Sequence, residues 1–433
     1  MKTILTYAIM AGLICCINAC KGHDADDPEP GVILPETPIE TTKPGEDPET
    51  TEPVVIPPAD PITLTPMQGE KSNADNCFAF KMFKEVSTSK PNMFFSPLSL
   101  NVALGMLHNG ASGETRAEMA EVLGMGDFTE TEINEYYQKM MQALLEIDTL
   151  TEIGIANSIW HRSNFPVKQP FIDVNKQYFD AMVQALDFSD PDAANIINDW
   201  CAEKTKNKIK SIVNPPIPDA VVMYLMNALY FKSKWQHPFD KKYVKQDEFS
   251  TTGNTKVKAN MMEQTTYIPY YADEQVQCVE LPYGNQAFSM VVVLPANHMD
   301  IEQLIQYLDN DTWQNIVTRF YTTEIKVKLP RFKIECTLPL KEPVMNVGMK
   351  QIFGGGLDRI SDAGISVSNI LQKTFVEVNE EGTEAAAVTV IAIATSVPPP
   401  PVPFFANRPF LYLIKEKSTG VILFVGRMDE PEE

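Results

Sequence analysis

Glu380 and Glu381 stand side by side ahead of Gly382-Thr383-Glu384-Ala385-Ala386-Ala387, and neighbouring carboxylates are a residue type that acid–base chemistry uses. In an acidic chain such a pair is expected to be solvated. The other candidate groups fall into no catalytic order. The five histidines, His23, His108, His161, His237 and His298, match no H-E-x-x-H spacing and no C-x-x-C occurs, so neither a metal nor a cofactor is expected. No G-x-S-x-G elbow or G-x-x-x-x-G-K-[ST] loop occurs, and Gly354-Gly355-Gly356 reads as a turn because no phosphate-binding helix follows it. Without an activated nucleophile the chain does not read as an enzyme.

The carboxylates open the stretch NEEGTEAAAVTVIAIATSVPPPPVPFF, Asn379 to Phe405, which holds no Lys, Arg or His. Residues 384–387 favour helix, residues 389–393 favour strand, and Pro398 ends either. With Glu384 facing solvent, Thr383, Ala385, Ala387, Thr389, Ile391 and Ile393 form the opposite row, small and then branched. Such a row suits a strand that enters a packed sheet late. A permanent central strand and an Ala-rich helix fit the same periodicity.

The elements around this stretch must come from a chain of 433 residues with 44% hydrophobic content, enough for one large domain. Residues 1–19 read as an export signal: Lys2 precedes an apolar run over 4–17 that is too short to span a bilayer. Ile17-Asn18-Ala19-Cys20 resembles a bacterial lipobox, which makes Cys20 the lipid anchor and the chain an outer-membrane or cell-surface lipoprotein, with a secreted or periplasmic protein as the alternative. Residues 20–66, rich in Pro, Glu, Asp and Thr, read as that anchor and a disordered tether, leaving a single body over 67–433. The net charge of −21 opposes nucleic acid and anionic membranes, so contact with a membrane is expected only through the lipid. Cys77, Cys201, Cys278 and Cys336 are too sparse for a disulfide framework; one or two bridges or free buried thiols both fit.

Within the body, apolar spacing predicts a helix over 74–86, a second begun by Ser96-Pro97 and closed by Gly110 and Gly113, and a third opened by a capping box from Thr115 to Glu118. Further helices are predicted within 167–183 and over 193–206, 301–308 and 343–352. Strands are predicted over 153–159, 256–262, 277–281, 288–294, 323–329 and 375–378, and over 221–231 as a strand buried on both faces. Helices early and strands late indicate an α+β fold.

The residues from Glu380 to Ala387 resemble the proximal hinge of serpin reactive loops, and Phe405-Ala406-Asn407-Arg408-Pro409-Phe410-Leu411 resembles that family's C-terminal signature. The resemblance also covers N-x-F-F-S-P-x-S-L with G-A-S-G-E-T across 92–115, Ile197-Asn198-Asp199-Trp200, the run from Asn227 to Trp235, Leu329-Pro330-Arg331-Phe332-Lys333-Ile334 and Ile422-Leu423-Phe424-Val425-Gly426-Arg427. It spans about residues 72–431 in family order.

What the resemblance implies is a monomeric, metastable protease inhibitor with a large central, mostly antiparallel sheet, further sheets, about nine helices and an exposed reactive loop over about 380–404. A target protease would cleave the loop, form a covalent acyl complex and be dragged as the loop inserts into the sheet. The family's spacing counted forward from Gly382 places the reactive bond after Ser396, and counted back from Asn407 after Pro398, the loop being about two residues longer than usual. A bond between prolines is a poor substrate, so it is placed at Ser396-Val397, with Thr395-Ser396 and Ile393-Ala394 as alternatives. Small apolar residues there imply elastase-like or subtilisin-like serine proteases, with cysteine proteases as a further target class. Ser96, Ser99 and Asn227 match the family's shutter, Gln372 stands where a histidine is usual, and Trp235 matches the breach tryptophan. A noninhibitory binding or carrier serpin is the alternative reading.

Overall fold

Thr65 caps the first helix with its hydroxyl and Gln68 returns the bond, closing a capping box with Pro66 at the first helical position. The computed structural model describes residues 57–88, 91–253, 255–382 and 400–432. The export signal, Cys20, the tether up to residue 56, and the loop positions Thr383, Glu384, Ala385, Ala386, Ala387, Ile393, Ala394, Thr395, Ser396 and Val397 lie outside the described residues. Ala59, Ile62 and Leu64, read from composition as the end of the tether, pack against the main core. The Ala59 N–H donates to the Asn285 carbonyl at 3.0 Å and the Ile62 N–H to Ser418 Oγ at 2.9 Å.

Numbered in chain order, the described residues hold nine α-helices: α1 (Pro66–Val86), α2 (Pro97–His108), α3 (Gly113–Val122), α4 (Glu130–Glu146), α5 (Gln169–Phe179), α6 (Ala193–Lys204), α7 (Ile301–Tyr307), α8 (Asn310–Val317) and α9 (Lys341–Asn346). Strands β1 (Met93–Phe95), β5 (Lys245–Ser250), β6 (Lys256–Ala272), β7 (Val276–Pro282), β8 (Phe288–Pro295), β9 (Tyr321–Pro330), β12 (Val402–Phe405), β13 (Phe410–Glu416) and β14 (Ile422–Met428) form a nine-stranded sheet. Its order is β1-β14-β13-β8-β7-β6-β9-β12, with β5 on β6. Every residue of β8, β13 and β14 is buried, and their mostly apolar sequences, broken by Ser289, Lys415, Glu416 and Arg427, are those of strands covered on both faces.

Two smaller sheets complete the α+β fold. One is three-stranded, ordered β3 (Met182–Leu186), β2 (Glu152–Arg162), β4 (Met223–Lys232); the other pairs β10 (Phe332–Pro339) with β11 (Leu371–Val378). The strand expected to be buried on both faces is not: Met226 and Ala228 of β4 are buried in a cluster with Trp200 and Cys201 of α6, while on the other face Leu225 and Leu229 are only partly buried against the main core.

The capping box expected at Thr115 to Glu118 does not exist. The third helix starts three residues earlier, at Gly113 after Ser112, and Glu118 instead accepts the Gln351 N–H at 2.6 Å. The carboxylate is drawn to backbone donors of another segment, a contact that outweighs a local cap.

Candidate functional site

The large central sheet expected from the resemblance is present as two half-sheets. Among the described residues no ladder joins β4 to β11, the edges at which the three-stranded and two-stranded sheets meet. What joins them is a pair of polar clamps, one at each end.

The first clamp is the N-terminus of α2. Ser96 has extended backbone angles and caps the helix, accepting the Ser99 N–H at 3.2 Å, while its own hydroxyl donates to the Leu423 carbonyl at 2.8 Å. Gln372 of β11 then binds the Ser96 peptide twice: its Nε2 donates to the Ser96 carbonyl at 2.8 Å and its Oε1 accepts the Ser96 N–H at 2.8 Å. A side-chain amide thus makes the pair of bonds that a neighbouring strand would make. Two residues on, Thr374 Oγ1 donates to the Phe94 carbonyl at 2.5 Å. On the other half-sheet, Ser99 Oγ donates to the Asn227 carbonyl at 3.5 Å and Asn227 Nδ2 to Asn157 Oδ1 at 2.7 Å. Asn227 Oδ1 is buried with no partner among the described residues.

The second clamp surrounds Trp235, which is buried and stacked on Tyr283 at 4.4 Å between ring centroids. Its Nε1 donates to the Asn379 carbonyl at 2.9 Å and its backbone N–H to the Glu381 carbonyl at 3.2 Å. The Phe239 N–H reaches the Glu380 carbonyl at 2.8 Å. Residues 379–382 form a turn in which the Asn379 N–H donates to the Gly382 carbonyl at 3.2 Å and the Gly382 N–H to the Asn379 carbonyl at 3.3 Å. Gly382 has φ +102°, and a Cβ there would lie 2.4 Å from the Trp235 nitrogen and 2.7 Å from the Ser233 carbonyl oxygen. Only glycine fits this close approach.

The expectation of a solvated carboxylate pair is wrong. Glu380 is 3% exposed and paired with Arg331, and Glu381 is paired with Lys241. The hydrogen bond to Glu381 raises the Lys241 ammonium above its ordinary value. Burying Glu380 requires a partner, because an uncompensated carboxylate away from water costs several kcal/mol. Arg331 supplies it from the turn between β9 and β10. The run Leu329-Pro330-Arg331 carries the resemblance, yet nothing local in it assigns Arg331 to residue 380, which is reached only through the fold. Thr374 was the accessible omission: it lies two places from Gln372 and therefore on the same face of β11.

Asn227 and Gln372 both meet the first turn of α2, and from there β4 and β11 each run toward the bonded pair Trp235 and Asn379. The two strands therefore point the same way across an unpaired seam. A segment folding back from Gly382 would lie antiparallel to both. The sequence-derived residues Ser96, Ser99, Asn227, Gln372, Trp235, Glu380, Glu381 and Gly382 are thus gathered at the two ends of one seam.

Among the described residues no group of three or more His, Cys, Asp or Glu could hold a metal ion. No disulfide joins Cys77, Cys201, Cys278 and Cys336 to one another. Burial pushes Cys201 up to about 11 and Cys278 well above its ordinary value, which keeps both protonated and unreactive at neutral pH.

Comparison with known proteins agrees with this geometry. The family model described as Serpin (serine protease inhibitor) matches residues 73–431. Iripin-2 of Ixodes ricinus is 33% identical over 373 residues, 84% of this chain and 94% of that one. The native-state crystal structure of the thermophilic serpin Tengpin superposes with a TM-score of 0.77 at 29% identity, covering 86% of this chain and 96% of its own. Human thyroxine-binding globulin superposes with a TM-score of 0.76 at 25% identity, covering 85% and 100%. The chain belongs to the serpin family.

Proposed function

We propose that this serpin is a suicide-substrate inhibitor of serine proteases, trapping its target as an acyl complex through insertion of the cleaved loop between β4 and β11. The supporting observation is the seam: two strands pointing the same way, with no ladder between them among the described residues and a polar clamp at each end, and with the loop leaving from Gly382 at one end. Insertion would satisfy backbone groups on two edges at once. At about 1 kcal/mol net per hydrogen bond, a dozen new ladder bonds are worth on the order of 10 kcal/mol.

Specificity follows from the loop sequence. Ile393, Ala394, Thr395, Ser396 and Val397 offer no basic anchor, so the target pocket is small and apolar and the cut falls at Ser396-Val397, as in elastase-like or subtilisin-like substrates. Thr383 and residues 385–387 are small enough to pass into a sheet. Cys20 would tether the inhibitor to a membrane by its lipid, and Cys20→Ala should then release soluble protein on fractionation.

Resemblance to a globulin named for binding thyroxine favours one second reading, a noninhibitory carrier. Mixing with elastase and running a denaturing gel separates the two. An inhibitor leaves a covalent band near the summed masses, with a released peptide that begins at Val397. A carrier leaves cleaved chain alone.

A further inference from the structure

The nine-stranded sheet ends at β12, a four-residue strand whose only ladder is the parallel one to β9. Val402 pairs with Ile325, Pro403 with Lys326, Phe404 with Val327 and Phe405 with Lys328. Among the described residues nothing pairs with the other side of β12. An unpaired edge is a template for another strand.

The direction of each backbone group along this edge can be assigned. The Ala406 N–H donates to the Lys328 carbonyl at 2.8 Å, so residue 406 faces β9. In a strand the N–H and C=O of one residue point to the same side and alternate along the chain, so residues 402 and 404 also face β9 while 401, 403 and 405 face outward. Two of those outward residues are Pro401 and Pro403. Each proline removes a donor that β9 does not use, and removes it from the side that a new strand would need. Packing is untouched, since Phe404 on the inner face is fully buried while Pro403 is exposed.

The same chain carries a sequence of the kind such a guard excludes. Val388-Thr389-Val390-Ile391-Ala392-Ile393 is β-prone, uncharged and free of proline, the composition of a segment that adds to open edges. We propose that Pro401 and Pro403 close the outer edge of β12 to strand addition by a second copy of this chain. The device works whether or not the protein traps a protease.

The test uses the full chain carrying Pro403→Thr, held on warming below its unfolding transition and followed by size-exclusion chromatography with light scattering. The variant should lose its single-copy species about tenfold faster than the parent, and faster still at higher concentration. Adding Phe405→Pro to the same chain deletes another outward donor and should return the rate to the parent value. A folded Pro403→Thr variant that assembles no faster than the parent overturns the proposal, as does assembly that Phe405→Pro fails to suppress, because it would run through another surface. If Pro403→Thr does not fold, Pro401→Thr, one residue before the ladder, is read against the same two outcomes.

Discussion

A side chain at position 382 would have nowhere to go. Glycine tolerates the positive φ of this turn, and a Cβ would strike the Trp235 nitrogen and the Ser233 carbonyl oxygen. Gly382→Ala should therefore strain the turn by about 1–3 kcal/mol and displace Trp235 from Asn379. The expected result is a shifted tryptophan emission and faster loss of trapping activity on warming. His108 makes a second residue-scale prediction. Burial, then Arg116, lowers its pKa to about 4, whereas an unfolded histidine titrates near 6.5. Between these values the unfolded chain binds the extra proton, so this contribution is fully present above about pH 6.5 and is lost as pH falls toward 4, by on the order of 3 kcal/mol. Denaturation midpoints should fall over that window, and His108→Gln should fall less. Neither the close contact at Gly382 nor the burial of Glu380 beside Arg331 is written in local sequence, because each depends on segments far apart in the chain.

At the scale of elements, α2 matters most because its first turn holds both half-sheets. Ser96 is at once the helix cap, the donor to Leu423 and the residue whose peptide Gln372 grips. Ser96→Ala keeps the peptide but loses the cap and a buried hydrogen bond, a cost of about 1–2 kcal/mol that should appear as a thermal midpoint lower by a few degrees. This helix was legible because a capping hydroxyl followed by proline is a local signal. The helix α4 carries an equally local one, the Thr129 and Glu132 capping box, which the apolar-spacing reading passes over. Strand β12 was not legible, because Pro403 hides an element whose pairing is decided by β9, whereas β10 was passed over although its alternation of apolar and polar residues is the local signal of a half-buried strand. Helix α6 was legible to within two residues of its end, although Ile196, which the apolar spacing groups with Ile197, Trp200 and Cys201, is exposed. Its position was not, since only the fold shows the residues after it reaching β11, where Lys208 lies 4.7 Å from the Phe375 ring centroid.

For the whole molecule the central claim is that the described arrangement is not the lowest state available to the chain. Sequence motifs name the family, and the insertion of a strand into the sheet is proposed from it. The seam itself, parallel strands with no ladder between them among the described residues and clamped through Ser96 and Gln372 at one end and Trp235 and Asn379 at the other, is a property of the assembled fold. If that claim holds, the protein is protected by a barrier and not by depth. Cutting the loop near Ser396 with catalytic protease, isolating the nicked chain and heating it beside the intact one tests this most directly. The account predicts that the nicked chain unfolds at a clearly higher temperature, because its freed segment has joined β4 to β11. An unchanged or lower transition would contradict it.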